Sequence, residues 1–456
     1  MAYDKKSFLS GLAAGRNMES WPAFEASEGS WFTWQIDMSY LDTLDYCIQL
    51  VSTMVVGNAA IVDWGDGSVE SFTQAEIMEH TGPFYHTYDS AGIYRIMLYN
   101  HYACTNVYDL VLNIQSVRDC IISIDSPITF PDESDASRRH SFVLRLTGFH
   151  HLKSVTHGLL KNVSRRGLLF GGALFTSCYE LEAIPADLLD YIDPDLLAYY
   201  STGATLCDFS YCRSITEISK NIFRRAELWS QVGSALQLFL GCSSLRSIPE
   251  GLFSTLTNCT DFRACFEGCH SLERIGDGAF SGCSSATNFN SAFRGCENLR
   301  EIGTNVFADC TAVTTFSYCF YQCSALAYLP GDLFADCYNV TLAGGCFREC
   351  GIREIPAGLF SSFTKVHDYN GCFFGCSSLK TVPFDLFDSN TEEDVDFSSC
   401  FSTDSAITSA VPELWVKYPN APYAHRYHCY YLCLSAANYA DIPGHYAPVP
   451  PGTWKD

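Results

Sequence analysis

Apolar residues recur with a fixed period along the chain from about residue 146 onward. The clearest marker is a phenylalanine that stands three residues before a cysteine, and successive markers lie 27, 27, 27, 27 and 26 residues apart. The members of this series are Phe239 with Cys242, Phe266 with Cys269, Phe293 with Cys296, Phe320 with Cys323, Phe347 with Cys350, and Phe373 with Cys376. A period of this length is typical of repeats in which each unit is one supersecondary element.

A second phenylalanine keeps the same period of 27 or 26 residues. It recurs at Phe253, Phe280, Phe307, Phe334, Phe360 and Phe387. Between the two markers lie further apolar positions, as at Leu272 and Ile275, and short β-forming runs such as residues 313–316. Because one unit cannot bury its own apolar face, neighbouring units must stack. The pattern therefore predicts an elongated solenoid of about ten coils, with irregular capping units at both ends.

Residues 30–125 lack this period and alternate instead like antiparallel strands. An apolar run leads into Trp64 and Asp66, and a second strand pattern follows a glycine turn at residues 91–98. Asp-Gly turns between alternating runs favour hairpins, so this part predicts a β-sandwich. The complete division is an N-terminal attachment segment (1–29), the sandwich (30–125), a connector (126–145), the solenoid with its caps (146–440) and a proline-rich C-terminal tail (441–456).

The charge of the chain argues against two classes of partner. With 28 Lys and Arg against 51 Asp and Glu, the formal net charge is -23, which repels nucleic-acid phosphates and anionic lipid surfaces. No apolar stretch reaches the roughly 18–20 residues that cross a bilayer, so we expect no membrane insertion. Lys5 and Lys6 precede only a short apolar run at residues 8–14, which favours an amphipathic N-terminal segment over a cleaved secretion signal.

Three stretches resemble known families. Residues 64–68 (Trp-Gly-Asp-Gly-Ser), followed by His86-x-Tyr88 and an Ala-Gly-x-Tyr run that ends at Tyr94, resemble the PKD domain, an immunoglobulin-like β-sandwich. The repeat Phe-x-x-Cys-x-x-Leu-x-x-Ile-Pro resembles BspA-like leucine-rich repeats. Residues 4–16 resemble the start of structural proteins of tailed phages of gut bacteria. These resemblances imply a mainly β protein, in which a PKD-like sandwich is followed by a leucine-rich-repeat solenoid.

The cysteines admit a structural and a metal-binding interpretation. Because a cysteine recurs once per coil, we predict a buried ladder in which each thiol acts as a small hydrophobe. The ladder comprises Cys242, Cys269, Cys296, Cys323, Cys350 and Cys376. Strands of adjacent coils lie about 4.8 Å apart, which leaves disulfides geometrically open. The best local candidate for a metal site comprises His425, His428, Cys429 and Cys433, although both cysteines already have a place in the repeat.

The resemblance to the PKD domain bears on the polar residues of the predicted sandwich. Taken alone, Asp63 and Asp66 are compatible with a calcium site or a catalytic carboxylate pair. The resemblance implies instead that both carboxylates form turns beside a packed tryptophan. It also implies that His86 makes a structural contact and that Tyr88 and Tyr94 lie in the core. No nucleophile elbow, phosphate loop, zinc-protease or dinucleotide motif is present in the sequence, so we expect neither an enzyme nor a cofactor.

Together these features indicate a modular binding and display protein. The leading hypothesis is a virion structural protein of a phage, assembled in the host cytoplasm and displayed on the head or tail. We expect the N-terminal segment to bind other virion proteins and the solenoid to bind a bacterial surface glycan or protein, in a homo-oligomer. The alternative is a bacterial cell-surface adhesin that binds host protein or glycan. A glycan-processing enzyme is a third class, which the lack of a catalytic constellation disfavours.

Overall fold

The structure is a computed structural model. It describes residues 30–40, 47–50, 59–73, 84–100, 120–127, 142–144, 146–161, 168–170, 174–192, 207–229, 233–419, 422–444 and 446. The described part is mostly non-helical and consists of short strands, turns and stacked coils. The chain divides into two compact units, residues 1–200 and residues 201–456. None of the described helices has the length and apolar character to cross a membrane. The predicted N-terminal attachment segment (1–29) lies outside the described residues.

Ten strands are described in the first unit. Their bounds are β1 Ser30–Asp37, β2 Cys47–Leu50, β3 Ala59–Asp63, β4 Val69–Thr73, β5 Phe84–Thr87, β6 Ile93–Asn100, β7 Ile121–Ile124, β8 Phe142–Leu144, β9 Ser154–Val155 and β10 Leu168–Phe170. Six of them form one sheet with the strand order β4-β3-β6-β1-β7-β9. All neighbours in this sheet are antiparallel except β7 and β9, which are parallel. β2 pairs with β5 and β8 pairs with β10 in two smaller sheets.

The turn between β3 and β4 shows why the sequence forms a hairpin here. Trp64 N donates to Ser68 O (3.1 Å), and the Asp63 carboxylate accepts a hydrogen bond from Gly65 N (2.9 Å). Gly65 has a φ of +81°, and a Cβ at this position would lie 2.5 Å from the carbonyl oxygen of Arg95. Glycine is therefore required in this turn, because the backbone of β6 passes too close for a side chain.

β7 joins the sheet to the first repeat of the same unit. It pairs antiparallel with β1 and parallel with β9, which belongs to the first predicted coil. Lys153 N donates to Ile122 O and Thr156 N donates to Ile124 O, both at 2.8 Å. The sheet and the first coil are therefore hydrogen-bonded directly to each other. A connector (126–145) was predicted between them from the sequence, and residues 142–144 of that range form β8. The domain boundaries remain a prediction.

Two columns of parallel backbone pairing run through the coils of the second unit. One contains the two-residue strands β11 (Ser247–Ile248), β12 (Arg274–Ile275) and β13 (Glu301–Ile302), which pair in this order. The other is a series of single-residue bridges that links Ser234, Asp261, Asn288, Thr315, Leu342, Asp368 and Asp396. Strands were predicted at this second column, as at residues 313–316, but the backbone turns away after one bridged residue.

A side-chain cap at these bridges explains the turn. Asp261 accepts a hydrogen bond from Arg263 N (3.0 Å), and Thr315 Oγ1 accepts one from Ser317 N (3.1 Å). Asp, Asn, Ser and Thr side chains favour such turns, because they offer the backbone a local partner two residues further on. The chain therefore bends after the bridge, and the aromatic residue that follows, such as Phe262, is buried.

Phenylalanine ladders fill the interior of the coils in the second unit. In the ladder that runs from Phe239 to Phe373, successive ring centroids lie 5.2–5.7 Å apart and the rings are stacked. A second ladder passes through Phe253, Phe280 and Phe307, with centroid separations of 4.8 and 5.6 Å. All of these side chains are buried. A stacked pair contributes about 0.5–1.5 kcal/mol beyond the area that it buries, so each ladder stabilises the contact between neighbouring coils.

The described helices are short and lie in the second unit, apart from one 3-10 turn. Their bounds are α1 Ala226–Trp229, α2 Leu414–Lys417 and α3 Tyr423–Arg426, with 3-10 turns at Met38–Tyr40 and Tyr439–Asp441. Beyond them, Tyr446 is buried and its carbonyl oxygen accepts a hydrogen bond from Tyr430 N (2.9 Å). One coil earlier, Phe401 N donates in the same way to Cys429 O (2.8 Å). Tyr446 therefore closes the last described coil, although the sequence analysis assigns it to the tail.

Candidate binding surface

The predicted cysteine ladder lies in the interior of the second unit. Each of its six thiols is buried and donates to the carbonyl oxygen of a phenylalanine in the preceding coil. The pairs are Cys242 to Phe209 (3.2 Å), Cys269 to Phe239 (3.3 Å), Cys296 to Phe266 (3.3 Å), Cys323 to Phe293 (3.3 Å), Cys350 to Phe320 (2.9 Å) and Cys376 to Phe347 (3.1 Å). Each hydrogen bond gives a buried thiol a partner and links one coil to the next.

A second column of thiols follows the second phenylalanine. Cys283 donates to Phe253 O (3.3 Å), and Cys310 donates to Phe280 O (3.2 Å). Further along the column, the Ser362 hydroxyl donates to the equivalent carbonyl oxygen. Several coils thus contain the Phe-x-x-Cys motif twice, with the two copies 13 or 14 residues apart. The period of the second phenylalanine was predicted from the sequence, but the cysteine that follows it was not, although its signal is present in the same spacing.

Burial makes several of the described cysteines poor nucleophiles. It raises the pKa of the Cys178 and Cys310 thiols to about 12 and the pKa of the Cys269 thiol well above its usual value. The thiolate, which is the reactive and metal-binding form, is disfavoured accordingly. The 21 cysteines whose side chains the structure describes are all buried, and none of these 21 forms a disulfide. The thiol columns are therefore suited to packing and to hydrogen bonding between coils.

Asp404 interrupts the first thiol column. It takes the place of the cysteine after Phe401 and stands between Cys376 and Cys433 in the series. Its side chain is fully buried, and among the described residues neither carboxyl oxygen has a hydrogen-bond partner of normal geometry. Burial raises the pKa of this carboxyl well above its usual value, against the opposing effect of the backbone N–H groups of Cys376 and Gly375. The folded protein therefore favours the neutral, protonated form.

The five residues of the predicted sandwich motif form one cluster in the first unit. Trp64 stacks on His86 with ring centroids 4.5 Å apart. Tyr88 stacks on Tyr94 at 4.1 Å, and its hydroxyl donates to Trp64 O (2.9 Å). His86 Nε2 lies 2.7 Å from Asp66 Oδ2. These contacts connect the β3–β4 turn to β5 and β6, so each polar residue of the motif has a structural partner.

The four residues of the candidate metal site have separate partners. His425 Nδ1 lies 2.8 Å from Asp394 Oδ1, and the His428 ring stacks on a neighbouring tyrosine with centroids 3.7 Å apart. Cys429 is buried, and Cys433 donates to a backbone carbonyl oxygen (3.0 Å). Within the described ranges, no group of three or more His, Cys, Asp or Glu residues could hold a metal ion. The structure thus does not assemble these side chains into a metal site.

A cluster of exposed and half-buried aromatic and basic side chains lies on the coils of the second unit. It comprises Arg294, Tyr318, Tyr321, Arg348 and Phe374, and we call it the Tyr318 patch. Arg294 Cζ lies 5.2 Å from the Tyr321 ring centroid. Arg348 Cζ lies 5.9 Å from the same centroid and 4.0 Å from that of Phe374. Cations and rings therefore alternate from coil to coil, and each contact contributes about 0.5–1 kcal/mol at exposed sites.

Tyr318 forms a flat platform beside this column. Its ring centroid lies 6.1 Å from that of Tyr321, and the residue is 43% exposed. The ring lies against Gly345 of the next coil, where a Cβ would come within 2.5 Å of two ring carbons. The backbone of Tyr318 has a φ of +56°, which is unfavourable for a bulky residue. The coil geometry imposes this conformation, and the glycine leaves room for the ring.

The arginines of the Tyr318 patch have carboxylate neighbours. Arg294 Nη1 lies 3.7 Å from Glu267 Oε1, and Arg348 Nε lies 3.4 Å from Glu349 Oε1. Both distances exceed those of short charge-assisted hydrogen bonds, so these groups can still bind a ligand. The surface thus combines aromatic rings, guanidinium donors and carboxylate acceptors with no net charge. Tyrosine and arginine side chains of this kind contribute most of the binding energy at many interfaces.

No residue of the Tyr318 patch was predicted from the sequence. The available signal is a departure from the repeat, because the position of Tyr318 holds Ala264, Ser291 and Gly345 in neighbouring coils. These residues also have positive φ values. A bulky side chain at a position that holds small residues in the neighbouring coils does not serve the common core. A bulky residue at this position of one coil is therefore the sequence signal for this surface.

Solved structures show only a distant likeness. A leucine-rich repeat protein from Eubacterium ventriosum is 15% identical, with 48% of this chain and 60% of that chain covered and a TM-score of 0.20. The TLR13-ssRNA13 complex is 12% identical, with coverages of 69% and 54% and a TM-score of 0.15. A leucine rich cell surface protein from Faecalibacterium prausnitzii is 15% identical, with coverages of 48% and 69% and a TM-score of 0.12. The chain spans less than two thirds of the length of the first two structures.

Comparison with protein families identifies the repeats. None of the curated proteins matches the chain. The family described as BspA type Leucine rich repeat region matches residues 205–341 and 246–380, with six copies of the repeat. This match confirms the predicted resemblance for the part of the chain that it covers. Residues 205–380 of this chain thus match the model of BspA-type leucine-rich repeats.

Proposed function

We propose that this protein is a non-enzymatic binding protein that holds its ligand on the Tyr318 patch and is displayed on a surface. The observation that carries the proposal is an exposed tyrosine ring, fixed over Gly345, beside a column of alternating arginines and aromatic rings. A repeat scaffold suits this role because it presents side chains of successive coils at fixed spacings. Rigid aromatic side chains also lose little conformational entropy on binding.

The surface that we propose is that of a phage virion. Residues 1–29 attach the protein to other virion proteins, a PKD-like sandwich (30–125) follows, and the repeats bind a bacterial surface glycan or protein in a homo-oligomer. The resemblance of residues 4–16 to structural proteins of tailed phages supports the virion. The stacked contact of Trp64 and its neighbours supports the PKD-like part. A bacterial cell surface is the alternative location.

Binding of the purified full chain to intact host bacteria tests the role of the patch. Tyr318→Ala and Arg348→Ala each remove a central side chain, and we expect binding about tenfold weaker, as for an interface residue that dominates the energy. Tyr338→Ala is the matched control, because Tyr338 is 51% exposed and lies outside the patch. Equal binding by Tyr318→Ala and Tyr338→Ala would remove the basis for this proposal.

The location and the non-enzymatic character need separate measurements. Immunogold labelling with an antibody against the repeats should mark purified virions. Labelling confined to the bacterial envelope would refute the virion and leave the binding role intact. Incubation of the protein with host polysaccharides should release no product, and a release that depends on intact protein would refute the non-enzymatic role.

A further inference from the structure

A column of mainly basic residues lies on the ladder that contains β11, β12 and β13. Its members each stand two residues before a buried apolar residue of the coil. They are Arg246, Glu273, Arg300, Ala327, Arg353 and Lys380, and we call them the ladder column. Four backbone hydrogen bonds of 2.8–3.0 Å join successive members. The side chains therefore project from equivalent positions of neighbouring coils, about 4.8 Å apart.

The cations of the ladder column are available for a ligand. Among the described residues, Arg246, Arg300, Arg353 and Lys380 have no ion-pair partner within 4.0 Å. The adjacent column of the same ladder contains Ser247, Arg274, Glu301, Tyr328, Glu354 and Thr381, and only Arg274 and Glu301 in it form an ion pair, at 3.5 Å. The two columns together hold five Lys or Arg and three Glu, a net charge of +2, in a chain whose net charge is -23.

The middle of the ladder column is open. Ala327 stands between Arg300 and Arg353, so these two guanidinium groups are two coil spacings apart, roughly 10 Å, with only a methyl group between them. Tyr328 lies next to Ala327 in the chain and is 57% exposed. Two unpaired cations thus flank a small residue and an exposed ring. This arrangement fits a ligand that carries acidic groups at intervals and an apolar face between them.

Screening by salt determines whether a ligand at the ladder column interacts mainly with the nearby cations or with the total charge of the chain. The Debye length is about 8 Å at physiological salt, which is shorter than the roughly 15 Å from Arg300 to Lys380 over three coil spacings. A bound ligand therefore interacts with the cations next to it. The charge of -23 acts mainly on ligands that are still approaching, and salt weakens that repulsion.

We propose that the ladder column binds an acidic polysaccharide, whose carboxylates pair with Arg300 and Arg353 and whose sugar ring packs against Tyr328. Guanidinium groups match carboxylates in bidentate geometry, and a chain of regularly repeated carboxylates matches cations repeated from coil to coil. A nucleic acid fits less well, because its binding depends on extended positive surfaces and this chain carries 51 Asp and Glu. This second surface is separate from the Tyr318 patch and does not depend on the function proposed for it.

Binding of galacturonic acid oligosaccharides to the full chain tests the proposal, with a dextran oligosaccharide of equal length as the neutral comparison. The double variant Arg300→Ala/Arg353→Ala should bind the acidic oligosaccharide about tenfold more weakly, because two charge pairs are lost. The matched control is Arg263→Ala/Lys365→Ala, which removes the same charge from exposed residues outside the ladder column. The control variant and Tyr318→Ala should bind like the wild type.

Several results would overturn the assignment. They are absent binding of the acidic oligosaccharide by the wild-type chain, equal binding of dextran, equal losses in the two double variants, or equally tight binding of a single-stranded oligonucleotide. Binding should also weaken as salt rises from 0.05 to about 0.3 M, since the contacts are exposed ion pairs. Thermal unfolding of each variant shows that its fold is retained, because all four substituted side chains are exposed.

Discussion

Replacement of Asp404 is the most direct test of how the thiol column stabilises the second unit. Asp404→Asn keeps the size of the side chain and removes the titrating group. Asp404→Cys restores the column, in which Cys376 and Cys433 donate to backbone carbonyl oxygens at 3.1 and 3.0 Å. The wild-type side chain is fully buried, and neither of its oxygens has a hydrogen-bond partner of normal geometry among the described residues.

The magnitude follows from the pKa of the Asp404 carboxyl in the two states. In the unfolded chain this pKa is near the usual aspartate value of about 4, whereas burial raises it well above that value in the folded protein. Between the two values, the folded protein holds one proton more than the unfolded chain. The free energy of unfolding therefore falls by about 1.4 kcal/mol for each unit by which the pH rises through that window. Because Asn does not titrate, the free energy of unfolding of Asp404→Asn should rise relative to that of the wild type by the same amount for each pH unit.

Urea unfolding of the full chain, measured from pH 4 to pH 8, provides the test. The advantage of Asp404→Asn over the wild type should be smallest at pH 4 and should grow with pH. Asp404→Cys should exceed the wild type by about 1–3 kcal/mol at neutral pH, the cost of an unsatisfied buried polar group. Asp309→Asn, which removes an exposed carboxylate of the same unit, is the matched control. A difference between Asp404→Asn and the wild type that does not change with pH would refute the reasoning.

Three further outcomes are expected. Cys296→Ser should change the free energy of unfolding by less than about 1 kcal/mol, because a hydroxyl can donate to the same kind of carbonyl oxygen, as Ser362 does to Phe334 O in the second column. Cys296→Leu should cost about 1–3 kcal/mol by overpacking, and equal urea midpoints for the two variants would contradict this. A thiol reagent at pH 7.4 should leave the 21 cysteines with a described, buried side chain unmodified in the native protein and should react with them after denaturation. Mass spectrometry of labelled peptides measures both reactions, and fast native labelling would contradict the burial of these cysteines. A chain that starts at residue 146 lacks β7 and leaves the edge of β9 unpaired. In size-exclusion chromatography it should therefore aggregate more than a chain that starts at residue 30. Equal monomer yields from the two chains would count against the role of β7.

The interior of the repeats could be predicted from the sequence because stacked coils require the same type of side chain at the same position of every coil. A position that faces the core of one coil must be apolar in the next coil as well, and the phenylalanine and cysteine markers therefore recur together. The same logic located the residues that carry the BspA-type match. The resemblance to the PKD domain, not the period, placed Trp64 and His86 in one motif, and the structure stacks these two side chains at 4.5 Å. The identity of that region as a PKD-like domain and the location of the protein on a virion remain predictions.

Other features could not be predicted because they depend on pairing and backbone geometry. The partner of β7 is β9, some 30 residues further along the chain, and no local pattern specifies which strand edge a short apolar run will meet. The exposed ring of Tyr318 depends on a positive φ and on Gly345 in the next coil. Asp404 is equally hidden, since a lone aspartate in a loop-like stretch is normally exposed. These residues depart from their repeat positions, and only the structure shows what each departure does.

The pairing of β7 with β9 has a mechanical consequence within the first unit. Under the function proposed above, the protein attaches to a surface at one end and binds at another, so it must carry tension. A flexible linker would let the two parts swing freely, but here a pull on β1 reaches the first coil through backbone hydrogen bonds to β7 and from β7 to β9. Such bonds lie side by side along the strands and share the load when the strands are pulled lengthwise. The first coil is therefore held at a fixed angle to the sheet, and force applied to the sheet turns that coil with it.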